Sequence, residues 1–321
     1  MITVYGGSAN ELFLGACRAV ITHGQQVSPR GLETREALGA HLVLADPRNR
    51  LVDLPPGRVL NPAFAVAEAV WILSGSDDPW IFDYNRNLAQ YADQGVLQGA
   101  YGPRMRSWHG RVDQLDQVRR LLHQDPDSRQ GVIQLFDPER DRQGFRDVPC
   151  TLGYRFFLRD SRLHMHTTMR SQDVWLGLPY DLFAATLLQE LLAGWLGAGL
   201  GEYRHTVDSL HLYARDAQAA LALPSDLPAP EPMAALDAAW DGFDDLLARV
   251  LLDDLPPDAA EPWRAFAAVM ASYRSWGRGQ FADALGRAEQ APGLLGRALE
   301  RWYLRLSERI PTSASDRGAA Q

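Results

Sequence analysis

Apolar positions along the chain switch repeatedly between helical and extended periods. Residues 9–22 (ANELFLGACRAVIT) carry apolar side chains at helical spacing and predict a helix, with Cys17 in its packed face. Residues 25–34 are polar and turn-rich around Ser28-Pro29-Arg30-Gly31 and predict a loop, and 40–46 (AHLVLAD) predict a strand. Residues 62–74 (PAFAVAEAVWILS) predict a helix opened by Pro62, with Glu68 a lone carboxylate among apolar neighbours. Residues 76–100 are irregular, and Tyr101-Gly102-Pro103-Arg104 ends that loop. A helix over 112–124, a turn over 125–130 and a strand over 131–136 follow.

Residues 151–158 and 163–169 alternate, which predicts two paired strands around an Arg159–Arg162 turn. The longest apolar helix is expected over 179–196, opened by Pro179 and Asp181, and another strand over 203–212. The composition then changes. Residues 223–232 carry four prolines and predict a linker; 233–307 are rich in Ala, Leu and Trp and predict helices throughout, near 261–274, 278–290 and 293–307, ending in a polar tail. The expected organisation is a domain over 1–222, a linker over 223–232 and a helical region over 233–321 that packs on or completes it.

Of the 321 residues, 46% are hydrophobic and 22% charged, as in a globular protein with a sizeable core. The net charge of −8 argues against a general nucleic-acid or membrane-surface binder, so a bound phosphate must meet a local arginine cluster. Arginine far outnumbers lysine, a bias that carries no functional reading. Two cysteines, Cys17 and Cys150, give neither a disulfide framework nor zinc spacing, which predicts a reduced, cytoplasmic protein. No apolar run reaches membrane-spanning length, and the N-terminus lacks a signal pattern. His164 and His166 share a strand face but lack a third ligand, so no metal is expected.

The candidate chemistry concentrates in residues 149–181. A thiol follows a proline at a strand start (Pro149-Cys150), then comes Arg170-Ser171-Gln172-Asp173, then a Gly/Pro turn that opens a helix with Asp181 in its first turn. Nucleophile, anion ligand and carboxylate can converge on one pocket. Glu68 adds a carboxylate whose apolar setting is costly unless it is paired or functional.

This ordered set resembles the thymidylate synthase family. The residues that carry the resemblance are Pro149-Cys150, RSQDVWLGLPYD over 170–181 and SLHLY over 209–213, supported upstream by Arg30-Gly31, Glu68, Tyr101-Gly102 and Asp127-Ser128-Arg129. It covers about residues 25–220. It implies an α/β (α+β) fold: a large twisted mixed sheet flanked by helices, with a divergent helical C-terminal extension, in subunits that pair sheet to sheet. It also implies that Cys150 adds to C6 of a pyrimidine nucleoside monophosphate, making C5 a nucleophile toward the one-carbon unit of 5,10-methylenetetrahydrofolate. By the same resemblance Glu68 handles protons through water and Tyr101 stands near C5 proton removal. Arg30, Arg170 and Ser171 hold the phosphate, Arg129 reaches it across a homodimer interface, and His211 and Tyr213 hold the sugar 3′-hydroxyl. Asp173 lies near the pterin ring.

The departures from the family pattern decide the reaction. Asp181 replaces the asparagine that reads uracil. A carboxylate accepts from the cytosine N4 amino group, and in its protonated form it also donates to N3, which predicts a cytosine nucleotide, dCMP or CMP. The bland alternative is a helix-start aspartate that only favours the helix dipole. Thr151 stands where uracil methylators carry histidine, and Gln130 replaces the second of two family arginines. Leu88 falls at the place of the tryptophan that shields the C5 methylene. Weaker exclusion of water favours water capture and a hydroxymethyl product, as in the (deoxy)cytidylate 5-hydroxymethyltransferase branch. The rivals are a C5 methylase acting on dCMP or dUMP and an inactive nucleotide-binding relative.

Overall fold

The computed structural model describes residues 2–308. In chain order come β1 (Ile2–Gly6), α1 (Ala9–His23), β2 (Gln25–Val27), β3 (Thr34–Leu44), α2 (Pro62–Leu73), α3 (Tyr101–Arg106), α4 (Gln114–Gln124), β4 (Val132–Gln134) and α5 (Pro138–Asp141). There follow β5 (Thr151–Arg159), β6 (Arg162–Met169), β7 (Gln172–Asp173), α6 (Leu178–Trp195), β8 (Gly199–Tyr213), α7 (Ala214–Leu221), α8 (Phe243–Leu252), α9 (Glu261–Gly277), α10 (Phe281–Ala288) and α11 (Gly293–Ser307).

The strands form one mixed sheet in the order β1-β3-β8-β6-β5-β4, with β2 added beside β3 and β7 beside β8. β5 and β6 are the expected antiparallel pair, closing with Arg159 opposite Arg162. β6 runs parallel to β8, with Met165 opposite Tyr203 and Thr167 opposite His205. α1 and α6 lie on the sheet, α2 lies on α6, and α9 lies on α2. The sheet's other face carries half-buried His41, His164, His166, Arg204 and Thr206. This is the α/β architecture of a mixed sheet flanked by helices, and the C-terminal helices are present.

Local sequence explains the elements that position the site. α2 starts at an Asn61 cap, whose side chain accepts from Phe64 N at 3.2 Å, and at Pro62. It is apolar all round, as a helix enclosed on every side must be, and every residue in it is buried except Glu68. α6 is buried along most of its length. Its polar interior is satisfied internally: Gln189 Nε2 donates to Leu163 O at 2.8 Å and Gly201 O at 3.1 Å. The Glu190 carboxylate holds Arg48 at 2.7 Å and the fully buried Arg50, and accepts from Leu236 N at 3.2 Å.

The C-terminal helices share the core of the rest. Trp263, Phe266 and Met270 of α9 are buried, and Phe266 packs on Phe183 of α6 at 6.3 Å between ring centroids. Arg301 of α11 pairs with Asp53 at 2.5 Å. Tyr273 stacks on Tyr84 at 5.8 Å, and Arg274 donates to the Tyr84 hydroxyl at 2.7 Å, so α9 also pins the 76–100 segment.

Several elements differ from the periodicity reading. β1 and β2 were not expected; each is short, and its order comes from pairing with β3. Residues 76–100 contain 3-10 turns at Pro79–Asp83 and Arg86–Tyr91, and Tyr101 begins a helix instead of only ending a loop. α7 and α8 were not placed individually, and residues 233–240 are irregular where helix was expected. In that stretch the side chains of Met233 and Leu236 are buried and Asp237 and Ala238 carbonyls accept from Trp263 and Trp195, so tertiary packing replaces helical hydrogen bonds. The expected tail, 309–321, lies outside the described residues.

Truncating Glu190 leaves the buried Arg50 guanidinium without its counter-charge. Glu190→Ala is expected to lower unfolding free energy by about 3–5 kcal/mol in urea titrations. A loss smaller than about 1 kcal/mol would contradict the assigned pairing.

Candidate functional site

The candidate site, called the recess below, lies where the start of β5, the first turn of α6 and Glu68 of α2 come together. Cys150 sits just before β5. Its carbonyl accepts from Arg170 N at 2.9 Å, while Arg170 Nε and Nη2 donate to Pro149 O and Val148 O, each at 2.9 Å. The guanidinium thus clamps the turn that carries the thiol. Burial pushes the Cys150 thiol above its ordinary value; Arg170 pulls it down, Asp181 and Asp147 push it up, and Arg30 pulls it down. Cys17 is a different case. It is wholly buried in α1, and burial raises it to about 12, so it is an inert core thiol.

Glu68 is the partly accessible position on α2, and its carboxyl has no hydrogen-bond partner among the described residues. Burial, reinforced by the charge of Asp181, pushes it up to about 8. A carboxyl held near neutrality can either give or take a proton at physiological pH. Asp181 is pushed up to about 6 by burial, an effect that Gln172 opposes by donating to Oδ2 at 2.8 Å. Asp181 lies in the first turn of α6, whose N-cap is Gly177, and its carboxyl makes no capping bond there.

Tyr101 reaches the same recess from α3, whose position is fixed by the buried Arg104–Asp141 pair at 2.6 Å. Thr151 donates to the Tyr101 hydroxyl from its backbone N at 3.3 Å and from Oγ1 at 3.1 Å. With two donors already on the oxygen, the Tyr101 proton is free to point into the recess. Burial raises Tyr101 well above its ordinary value, and the charges of Asp181, Cys150 and Tyr154 raise it further. Cys150, Glu68, Tyr101 and Asp181 therefore share one electrostatic neighbourhood.

A second group lines the β7–β8 edge. Ser171 Oγ lies 3.4 Å from His211 Nδ1, and the His211 and Tyr213 rings meet edge to face at 5.3 Å. Asp173 is opposite His211 in the ladder; its Oδ1 accepts from Trp175 N at 2.8 Å and Leu176 N at 3.0 Å, while Oδ2 is without a partner among the described residues. Leu176 beside it is exposed. Arg30 is exposed on a 3-10 turn with φ 53°, close enough to lower the Cys150 thiol. Arg129 is not brought into the recess: it is exposed on the turn before β4, with no ion pair or hydrogen bond among the described residues. Leu88 is half-buried on the 86–91 turn and packs on the core, with no contact that ties it to Cys150.

Sequence reading missed the group behind Asp181. Gln172 Oε1 lies 3.0 Å from His205 Nε2, His205 Nδ1 lies 2.8 Å from Tyr203 Oη, and Tyr203 Oη lies 2.8 Å from Thr167 Oγ1. The available signal was alternation: Tyr203, His205 and Val207 fall on one buried face of β8. Two surface clefts, of about 240 Å³ beside Arg106 and Trp240 and about 500 Å³ beside Trp108 and Asp137, contain none of the expected site residues. Among the described residues no group of three or more His, Cys, Asp or Glu is placed to hold a metal ion, and no helix is long and apolar enough to cross a membrane.

A thiol, two raised carboxyls and a phenol gathered in one neighbourhood make a set of the kind used for covalent catalysis. The family model described as thymidylate synthase matches residues 11–253, and the chain belongs to that family. It is similar to the deoxyuridylate hydroxymethyltransferase of Bacillus phage SP01, at 36% identity over 234 residues, 67% of this chain and 60% of the relative. It is also similar to the deoxyuridylate hydroxymethyltransferase of Delftia phage PhiW-14, at 31% identity over 222 residues, 64% of this chain and 60% of the relative. The chain thus matches about 60% of the length of these relatives.

Removing the Arg170 charge removes the strongest influence holding the Cys150 thiol down. Arg170→Met is expected to slow iodoacetamide alkylation of Cys150 at about pH 8 by roughly three- to tenfold, with Arg170→Lys intermediate. An unchanged pH–rate profile would show that the guanidinium does not tune the thiol. Cys17 should stay unmodified in all three native proteins.

Proposed function

We propose that the protein hydroxymethylates C5 of a cytosine nucleoside monophosphate, dCMP or CMP, with 5,10-methylenetetrahydrofolate as co-substrate. The observation that carries this reading is Asp181: a carboxyl raised toward neutrality, placed on the same recess as Cys150 and held by a donor, where the family pattern has an asparagine. Such a group accepts from the N4 amino group and, when protonated, donates to N3. The names of both relatives support a hydroxymethyl product; their uridylate names favour a second reading, in which the base is uracil.

The residues then take the following roles. The Cys150 sulfur adds to C6, and the C5=C6 electrons move to C5. Methylenetetrahydrofolate supplies a one-carbon unit at the oxidation level of formaldehyde. Asp173, with its free Oδ2, and the exposed Leu176 suit a flat ring that has both a polar edge and an apolar face. Tyr101, with its proton directed inward by Thr151, stands beside the C5 proton. Glu68 carries protons to and from water, and water adds to the C5 methylene as the sulfur leaves C6. The balance is nucleotide, methylenetetrahydrofolate and water going to hydroxymethyl nucleotide and tetrahydrofolate. Arg30, Arg170 and Ser171 hold the phosphate, and His211 and Tyr213 hold the sugar.

In this reading the protein is a cytoplasmic homodimer packed through the half-buried sheet face, with Arg129 lent to the partner's phosphate site. Arg129 is exposed and has no ion pair among the described residues, in keeping with that role. Residues 1–222 form the catalytic part, 223–232 the linker, and the helical region from 233 completes it.

Incubating dCMP, CMP and dUMP with labelled methylenetetrahydrofolate and weighing the products tests the reading. A cytosine product heavier by CH2O, with tetrahydrofolate released, is expected. A methyl product with dihydrofolate overturns the hydroxymethyl assignment, and no tritium release from C5 of any nucleotide would indicate an inactive binder. Asp181→Asn should lower kcat/KM on the cytosine nucleotide about 10- to 100-fold and raise it on uracil; an unchanged preference refutes the base contact.

A further inference from the structure

Asp181 by itself is an ambiguous reader. A neutral carboxyl with its proton on one oxygen complements cytosine; with the proton on the other it complements uracil, donating to O4 and accepting from N3–H. Something must fix which oxygen carries the proton. The Gln172 side chain, buried to 3% exposure, is placed to do so, donating from Nε2 to Asp181 Oδ2 at 2.8 Å. An oxygen that already accepts a hydrogen bond is the poorer site for a proton, so the proton goes to Oδ1.

The carboxamide cannot turn over freely, because its other end is also held. Oε1 faces His205 Nε2 at 3.0 Å, and His205 is fully buried. Burial drives the imidazole down to about 3, so it stays neutral and offers one donor and one acceptor. With Nε2–H given to Gln172, Nδ1 is left as the acceptor, 2.8 Å from Tyr203 Oη. Gln172, His205 and Tyr203 are all buried, so none of them can trade its partner for water. Gly177 completes the arrangement: a Cβ there would stand 2.6 Å from Gln172 Nε2 and 3.4 Å from Asp181 Oδ2.

We infer that Gln172, locked by His205, is the positioning residue that makes the Asp181 carboxyl read one pyrimidine instead of two. The identity of the favoured base rests on the function proposed above; the single-valued reading does not.

The test compares kcat/KM for dCMP and dUMP, and for CMP and UMP, across pH in the wild type, Gln172→Met and His205→Phe. In Gln172→Met the ratio between the two bases should collapse toward unity by about tenfold or more. The pH limb that reports protonated Asp181 should also move upward, because the donor that holds its carboxyl down is gone. The groups facing Asp181, namely Glu68 from α2, Tyr101 from α3, Cys150 and Tyr154 from the β5 side and Tyr203 from β8, are the same in both proteins. His205→Phe, which frees the amide to turn, should move the ratio the same way by a smaller factor, and it decides the matter if Gln172→Met does not fold. A wild type that prefers uracil while Gln172→Met still loses its preference would overturn the base assignment and keep this inference. Base ratios and pH profiles unchanged in the variants would overturn it.

Discussion

The structure depends on burying several acid groups together in a low dielectric. Burial is the largest influence that raises Glu68, Asp181, Tyr101 and Cys150, and the charge of Asp181 adds to it at the other three. The outcome is that Glu68 keeps its proton at neutral pH and Asp181 gives its proton up only above about pH 6, where ordinary carboxyls would long have lost theirs. A thiol that must become a thiolate in such surroundings needs a counter-charge, which is the role open to the Arg170 guanidinium clamped to the carbonyls of residues 148 and 149.

Holding mutually repelling groups in place requires rigid elements. α2 is buried along its whole length apart from Glu68, and α6 is buried along most of its length, with Asp181 a partly accessible carboxylate in its first turn. α9 closes over α2 from outside, and its Tyr273 and Arg274 fasten Tyr84. The C-terminal helices are therefore part of the wall behind the recess, with no separate core of their own.

Much of this was legible in the sequence. Helices with continuous apolar surfaces, such as α2 and α6, and the β5–β6 pair announce themselves by composition and period. Glu68 could be singled out because a carboxylate is anomalous there. The short strands β1 and β2 and the irregular run 233–240 could not be read, since long-range pairing and burial decide them. At the site, motif residues could be named because they stand in a recognisable order. Gln172 and His205 were missed because their importance lies in a contact between separate strands, and each looks like an ordinary strand residue by itself. Thr151 was read as an absence of histidine, whereas the fold gives it a positive task, orienting the Tyr101 hydroxyl.

The central claim is that Cys150 attacks a pyrimidine ring chosen by Asp181. A cytosine nucleotide bearing fluorine at C5 tests it directly, because fluorine cannot leave as a proton and the adduct is trapped. Intact-protein mass followed by peptide mapping, in the presence of methylenetetrahydrofolate, should find nucleotide and folate together on Cys150, with far less from the 5-fluorouracil nucleotide. No covalent adduct at Cys150, or one formed with the uracil analogue alone, would contradict the account.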